Sequence, residues 1–313
     1  MNTPQPHHEH ELTVIIPAYN EASGILTFLE RLQSALLGCC TDFEVLVIDD
    51  GSRDTTWQLV HDATAGYGWL RCLRFTRNFG KEAALLAGLR HARGRAVIVM
   101  DADGQHPPEL LPKLLVPWRS GGALIVAARK KAGAVSLMSR INTYTFNRLM
   151  HFFTGLDLAN ASDYRLLDRT VVDSLLTFPE KVRFFRGMTA WTGFATAQVE
   201  FEVEQRIAGT SQWSVSQLTR LAVVAITAYS AKPLSMIFWL GIFGLGAALL
   251  LILQAVYSWL AGIAVTGWSS LTIVILLFGS ANLLGVGVLG AYLAQIFDEI
   301  KRRPEYIIGE SVE

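Results

Sequence analysis

The side chains best suited to chemistry lie in one stretch, Asp101-Ala102-Asp103-Gly104-Gln105-His106-Pro107-Pro108-Glu109. Two carboxylates at i and i+2 follow residues 95–100, an apolar, β-branched run expected to form a fully buried strand. Gly104 permits a sharp turn, and Pro107-Pro108 stops the strand and suits the first turn of a helix. Acidic oxygens at the carboxyl end of a buried strand are placed to hold a hard divalent cation against substrate phosphates. An isolated Asp-x-Asp equally suits a solvated polar turn, so the surrounding elements decide between the two.

The preceding chain repeats one unit. Residues 12–16 read as a strand closed by Pro17-Ala18-Tyr19-Asn20-Glu21, and Ile25, Leu26, Leu29, Leu32, Leu36 and Leu37 follow at helical spacing. Residues 43–48 read as a second strand ending in Asp49-Asp50-Gly51-Ser52, with a helix over about 55–65. Residues 70–75 form a third, followed by Arg77-Asn78-Phe79-Gly80-Lys81-Glu82 and a helix to about residue 92. This alternation predicts right-handed βαβ crossovers, hence an α/β fold with a mainly parallel sheet and flanking helices. The polar turns then gather on one edge of the sheet, where open α/β sheets bind ligands.

Composition divides the chain. The 313 residues carry 27 basic and 27 acidic side chains, a net charge of zero that gives no sign of nucleic-acid binding. Hydrophobic residues make up 51% and charged ones 17%, with a mean hydropathy of +0.33, and the apolar excess lies after residue 233. Residues 234–256 are uncharged and span roughly 34 Å as a helix, enough for a hydrocarbon core of about 30 Å. Residues 271–297 are a second uncharged, glycine-rich stretch. The loop 257–270 has no Lys or Arg, whereas Lys232 precedes the first stretch and Lys301, Arg302 and Arg303 follow the second. The positive-inside rule predicts a two-helix transmembrane hairpin (233–298) with both flanks cytoplasmic, and Trp239, Tyr257, Trp259 and Trp268 as interface anchors.

The remaining segments are less specific. Residues 1–10 read as a flexible polar tail with no secretory signal, and Cys39, Cys40 and Cys72 lack the spacing of a disulfide framework, which fits a reducing compartment. Residues 124–128 read as a fifth strand. Residues 134–156 read as a helix with a broad apolar face, either a core helix or an interfacial one. Asp163-Tyr164-Arg165-Leu166-Leu167-Asp168 precedes a helix through Leu176, and residues 197–206 read as a strand. These assignments make 11–210 one α/β domain, 211–232 an amphipathic juxtamembrane segment and 299–313 a cytoplasmic basic tail.

Several nucleotide-binding devices are absent from the sequence. No Gly-x-Gly-x-x-Gly turn follows the first strand, and there is no Walker A sequence, Gly-x-Ser-x-Gly elbow or zinc-type Cys/His spacing. An Asp-x-Asp beside several strand-end turns suits a nucleotide diphosphate held with a divalent metal. The four turn motifs at 17–21, 49–52, 77–82 and 101–109, in that order, resemble those of the inverting GT-A-fold glycosyltransferases. Within these they are most similar to polyprenyl-phosphate glycosyltransferases of the dolichol-phosphate-mannose synthase type. With two apolar C-terminal helices and Lys-Arg-Arg-Pro-x-Tyr at 301–306, the chain most resembles bacterial bactoprenol glucosyltransferases over nearly its whole length.

The resemblance implies transfer of one hexose, glucose in the first instance, from a UDP-sugar to undecaprenyl or another polyprenyl phosphate. Transfer would occur with inversion, on the cytoplasmic face of the bacterial inner membrane, by a membrane-bound homo-oligomer. It implies that Pro17, Tyr19, Glu21 and Asp49 meet the nucleoside, with Lys81 and Gln105 also on the nucleotide-sugar. Asp101 and Asp103 would anchor Mg²⁺ or Mn²⁺, Asp103 counting among the catalytic groups. Asp163 occupies the position of the catalytic base, and Arg165 and Arg206 would face the lipid phosphate. Relatives often carry a basic residue at the position of Gln212, which leaves Arg206 to carry more of that contact.

Asp50 would either cap the following helix or touch ligand, and Arg77 and Lys81 would be contacts or solvated charges. Asp168 and Arg169 are expected to face solvent, and Trp213 would be an interface anchor or a substrate contact. One alternative activity is a processive polysaccharide synthase, but the Gln-x-x-Arg-Trp stretch and the further spans of such enzymes are missing. A non-catalytic membrane adaptor is opposed by the intact Asp101/Asp103 pair, Glu21 and Asp163.

Overall fold

The computed structural model describes residues 9–102, 106–130, 148, 152–153, 161–180, 183–201, 230–262 and 267–312. The chain divides into two compact units, one containing the sheet and residues 303–313, the other residues 152–155 and 214–302. The expected helix at 134–156 and the segment 211–229 lie almost entirely outside the described residues, as do Asp103, Gln105, Arg206, Gln212 and Trp213.

In the first unit the elements run β1 (His10–Ala18), α1 (Ile25–Leu37), β2 (Phe43–Asp49), α2 (Thr56–Thr64), β3 (Leu70–Phe75), α3 (Lys81–His91) and β4 (Gly94–Val99). There follow α4 (Leu111–Arg119), β5 (Ile125–Lys130), β6 (Ala161–Asp168), α5 (Arg169–Leu176), α6 (Phe185–Trp191) and β7 (Thr196–Phe201). The last element, β8 (Ile308–Val312), completes an eight-stranded sheet in the order β7-β5-β6-β4-β1-β2-β3-β8. Strands β1 to β4 are mutually parallel, as the βαβ alternation requires, while β6 runs antiparallel between β4 and β5. The apolar stripe of α1, Ile25, Phe28, Leu29, Leu32 and Leu36, is fully buried against the sheet.

The amino-terminal ends of the parallel strands are joined by a buried polar cluster. Glu44 is 1% exposed, and its Oε1 accepts from the Thr13 hydroxyl at 2.6 Å and the Arg93 N–H at 2.7 Å. Its Oε2 pairs with Arg71 at 2.7 Å, and the Gly94 N–H donates to Thr13 Oγ1 at 2.8 Å. One carboxylate thus links β1, β2, β3 and the start of β4.

Two expectations are corrected here. His10 belongs to β1 and not to a tail. Residues 308–312 likewise form a strand: β8 pairs antiparallel with β3 (Arg74↔Glu310, Cys72↔Val312), because β3 would otherwise present an unpaired edge.

The second unit holds α7 (Lys232–Leu260) and α8 (Trp268–Ile300). Both are long and apolar enough to cross a membrane, with segments 232–258 and 277–300 of mean hydropathy 2.5 and 1.6 and 6% of each buried. The helices approach closely where Gly244 faces the Phe278 ring, a Cβ there lying 2.6 Å from Cε1, the small-residue packing typical of helices in lipid.

Glu44→Ala should lower the unfolding free energy by about 3–5 kcal/mol, because it breaks the buried Glu44–Arg71 pair and removes the acceptor of Thr13 Oγ1 and the Arg93 N–H. Thermal or denaturant unfolding of the detergent-purified protein measures this. A loss below about 1 kcal/mol would show that the cluster does not hold the strands.

Candidate active site

The turns after β1, β2 and β3 are cross-linked. Asn20 adopts a left-handed φ of 56°, which asparagine tolerates. Its N–H donates to Ser52 Oγ at 2.9 Å, and its side-chain oxygen accepts from the Arg53 N–H at 2.9 Å. The Glu21 N–H donates to Thr56 Oγ1 at 2.9 Å. Gly51, at φ 67°, touches the third turn so closely that a Cβ would lie 2.4 Å from the Arg77 carbonyl carbon. No side chain fits there. Asp50 closes the assembly, its two oxygens accepting from the Phe79 N–H at 2.7 Å and the Gly80 N–H at 2.9 Å. Asp50 therefore does not cap α2; it fixes the segment that leads into α3.

That segment delivers Lys81, the first residue of α3, to the ends of β4 and β6. The β4–β6 register ends where Val99 pairs with Arg165, and Asp101 and Asp163 lie two residues beyond that pair, one on each segment. Lys81 Nζ lies between them, 2.5 Å from Asp101 Oδ1 and 2.8 Å from Asp163 Oδ2. Arg186, from the first turn of α6, grips Asp163 with Nε at 2.6 Å and Nη2 at 2.9 Å. The four groups form one alternating chain of charge, Asp101–Lys81–Asp163–Arg186. Burial would raise the Asp163 carboxyl, but the Arg186 hydrogen bonds and the Lys81 charge outweigh it and hold the group far below the usual carboxylate range. Burial likewise disfavours charged Lys81, yet the two carboxylates keep its ammonium above the ordinary lysine value.

Asp101 is itself positioned by His106. The Asp101 N–H donates to His106 Nδ1 at 2.9 Å, so Nδ1 bears the lone pair and Nε2 carries the proton towards Ser162 Oγ at 3.0 Å. The His106 ring is 3% exposed and stacks on Tyr164 at 5.0 Å. Asp101 is 25% exposed at the side chain, a strand-end carboxylate open on one side. Among the described residues no three His, Cys, Asp or Glu side chains converge as a protein-only metal cage. Asp101 thus offers one accessible carboxylate, and hard divalent ions are commonly held by one or two carboxylates together with substrate phosphates.

The other expected site residues are distributed as follows. Tyr19 is 39% exposed beside the cross-linked turns, and Pro17 is half-buried in β1 opposite Ile48. Asp49 is 1% exposed, its oxygens 3.3 Å from the Ser52 N–H and one of them 3.4 Å from Arg74 Nε; burial raises its pKa. Arg165 is turned into the protein. It is 5% exposed, donates to Thr189 Oγ1 and, at 2.6 Å, to the Ser162 carbonyl, and lies over the Phe185 ring. Burial lowers its pKa to about 10. Asp168 and Arg169 are structural: Asp168 caps α5 and accepts from Trp118 Nε1 at 2.8 Å, and Arg169 donates to the Ala92 and Gly94 carbonyls.

No role was expected of Arg186, which lies outside the turn motifs, or of Glu82, which closes the motif at 77–82 but was given no function there. His106 lay inside the acidic stretch, where a histidine next to a strand-end acid was an available signal. Glu82 accepts from the Phe185 N–H at 2.9 Å and so holds the start of α6, which bears Arg186. Burial pushes its carboxyl up to about 7.

Because Glu82 is raised above its unfolded value, its neutral form stabilises the fold fully below about pH 4, and this is lost as pH rises through 7. Glu82→Gln keeps an oxygen for the Phe185 N–H and removes the titration. The variant should therefore melt at a higher temperature than wild type at pH 8, by on the order of 3 kcal/mol of stability, and match it near pH 4. Melting curves that stay parallel across that range would refute the role of burial.

The family model for "Glycosyl transferase family 2" matches residues 13–176. The chain is 34% identical over 303 residues to the SfII prophage-derived bactoprenol glucosyl transferase of Shigella flexneri, covering 96% of this chain and 98% of that protein. It is 35% identical over 302 residues to the putative glycosyltransferase CsbB of Bacillus subtilis, covering 96% and 92%. Among solved structures, a mycobacterial protein superposes with a TM-score of 0.50 at 22% identity, over 70% of this chain and 73% of the other, a likeness of fold. The mixed sheet with flanking helices is the GT-A type, and the chain belongs to glycosyl transferase family 2.

Proposed function

We propose that the protein transfers a single glucose from UDP-glucose to a polyprenyl phosphate, of which undecaprenyl phosphate is the natural candidate. The observation that carries this reading is the extent of the similarity to proteins named bactoprenol glucosyl transferase, which runs through both the sheet and the apolar C-terminal helices. The reaction would invert the sugar: an oxygen of the lipid phosphate attacks the anomeric carbon as the bond to UDP breaks, and UDP leaves with the electron pair.

In this reading Pro17, Tyr19, Glu21 and Asp49 form the nucleoside end of the pocket, and Lys81 and Gln105 meet the diphosphate side. Asp101, with Asp103, would hold Mg²⁺ or Mn²⁺. Such an ion neutralises charge on a departing diphosphate. The role expected of Arg165 passes to Arg186, whose guanidinium is less enclosed and sits on Asp163. Arg206 remains a further candidate for the lipid phosphate.

Asp163 is a poor base, because two cations already stabilise its ionised form. A phosphate acceptor does not need a strong one, being largely ionised near neutral pH with a second pKa of about 6. Asp163 acts by orienting Lys81 and Arg186, which are then free to turn towards phosphate oxygens when substrates enter. The hairpin of α7 and α8 would anchor the enzyme in the bacterial inner membrane, with both termini cytoplasmic, and a homo-oligomer is compatible with this arrangement.

Purified protein incubated with Mn²⁺, undecaprenyl phosphate and a panel of radiolabelled UDP-sugars should move label into the organic phase with UDP-glucose. Absence of lipid-linked product with every donor would overturn the proposal. Asp101→Asn and Asp103→Ala should each cut turnover by about 10²-fold or more. Asp163→Asn should lower turnover without removing an acidic limb from the pH–rate profile. If wild type has a limb near pH 4–6 that the variant lacks, Asp163 is a titrating base after all.

A further inference from the structure

We propose that the C-terminal segment 305–312 is a positioning strap for the donor pocket, with Glu310 and Tyr306 as its working residues; this rests on the UDP-sugar reading above. Covering the edge of β3 needs only a backbone, yet this segment sends side chains to both ends of the site.

One branch starts at Glu310. Its Oε1 lies 2.9 Å from Arg74 Nη1, and its Oε2 accepts from Trp57 Nε1 at 3.2 Å. Arg74 also lies over the Trp57 ring, 5.6 Å from its centroid, and its Nε stands 3.4 Å from Asp49. Asp49 in turn holds the Ser52 N–H, and Ser52 Oγ holds the Asn20 N–H beside Tyr19. Glu310 therefore fixes the counter-charge of the buried nucleoside-side carboxylate.

The second branch starts at Tyr306, which stacks on Phe75 at 5.0 Å and 15° while Arg90 lies over its ring. Phe75 meets Phe79 edge-on at 5.7 Å. The Thr76 N–H donates to the Ile307 carbonyl at 3.0 Å, and Asp50 holds the Phe79 and Gly80 amides that precede Lys81. Each member of the Asp49-Asp50 pair thus terminates a path that begins in the last nine residues of the chain.

The Glu310 carboxylate is 55% exposed at its side chain, so its ion pair adds little to global stability. Its effect belongs in pocket geometry. This separates the strap from a merely structural edge strand, whose loss would lower stability and leave affinity per folded molecule unchanged.

The test compares wild type with Glu310→Ala, Tyr306→Ala and Tyr306→Phe in the full-length, detergent-purified protein. UDP affinity by calorimetry, KM and kcat with UDP-glucose, and amide hydrogen exchange over residues 49–56 and 76–81 are measured. Glu310→Ala and Tyr306→Ala should raise the UDP Kd and the UDP-glucose KM about tenfold, the effect of one charge-assisted or aromatic contact. They should leave kcat within about twofold and speed exchange in the linked turns, while Tyr306→Phe keeps the stack and behaves as wild type. Glu310→Ala alters an exposed group and is expected to fold even if Tyr306→Ala does not. Unchanged UDP affinity and unchanged exchange in Glu310→Ala would overturn the strap. Wild type that binds no UDP would instead overturn the function proposed above, and the exchange measurement, which uses no ligand, would still judge the strap.

Discussion

The site depends on one ammonium group lodged between two carboxylates. Asp101 and Asp163 both lie just past the end of the antiparallel β4–β6 pairing, and two like charges gathered on one ammonium group would repel without it. Lys81 supplies it, and Arg186 extends the chain of alternating charge. Both cations enter from the first turns of helices whose approaches are held by carboxylates. Asp50 holds the entry to α3 through the Phe79 and Gly80 amides, and Glu82 holds the start of α6 through Phe185. Four acids are thus used, directly or through backbone amides, to fix two bases.

The two edges of the parallel strands use polar groups in opposite ways. At the amino-terminal edge, the Thr13 hydroxyl, the Arg71 guanidinium and the Arg93 N–H all bond to the Glu44 carboxylate inside the protein, a closed cluster of high stability cost if broken. At the carboxyl-terminal edge the corresponding groups, Tyr19, Lys81 and Asp101, keep part of their surface exposed. In the proposed reaction an incoming phosphate or metal would exchange for the internal partners there, because a partly solvated ion pair is held by less than a buried one. A rigid closed edge supports an exchangeable open one.

The parts of the site legible in the sequence are those set by local chemistry. Strands β1 to β4 and the helices between them followed from apolar periodicity, and the turns from the polar stretches that close each strand, with Pro107-Pro108 ending the last. Asp101 was found for the same reason, as an acid just past a buried strand. The apolar helices α7 and α8 were equally plain, since composition alone makes a segment long and greasy enough to span lipid. Arg165 and Arg186 mark where this ends. Both are arginines beside aromatic residues, and nothing local distinguishes the one that turns inward to Thr189 and the Ser162 carbonyl from the one that grips Asp163.

The α/β alternation, the polar turns on one sheet edge, the strand-end acid and the apolar hairpin are each encoded in spacings of a few residues and can be read without knowing the fold. Tertiary structure alone decided that β6 lies antiparallel beside β4, that Asp163 therefore faces Asp101 across Lys81, and that the final residues return as β8 to brace Arg74 and Phe75. Strand pairing between distant segments is chosen by which hydrophobic face and which edge are left unfilled once the rest has packed. A basic terminal sequence reads as a tail until the open edge of β3 is there to receive it.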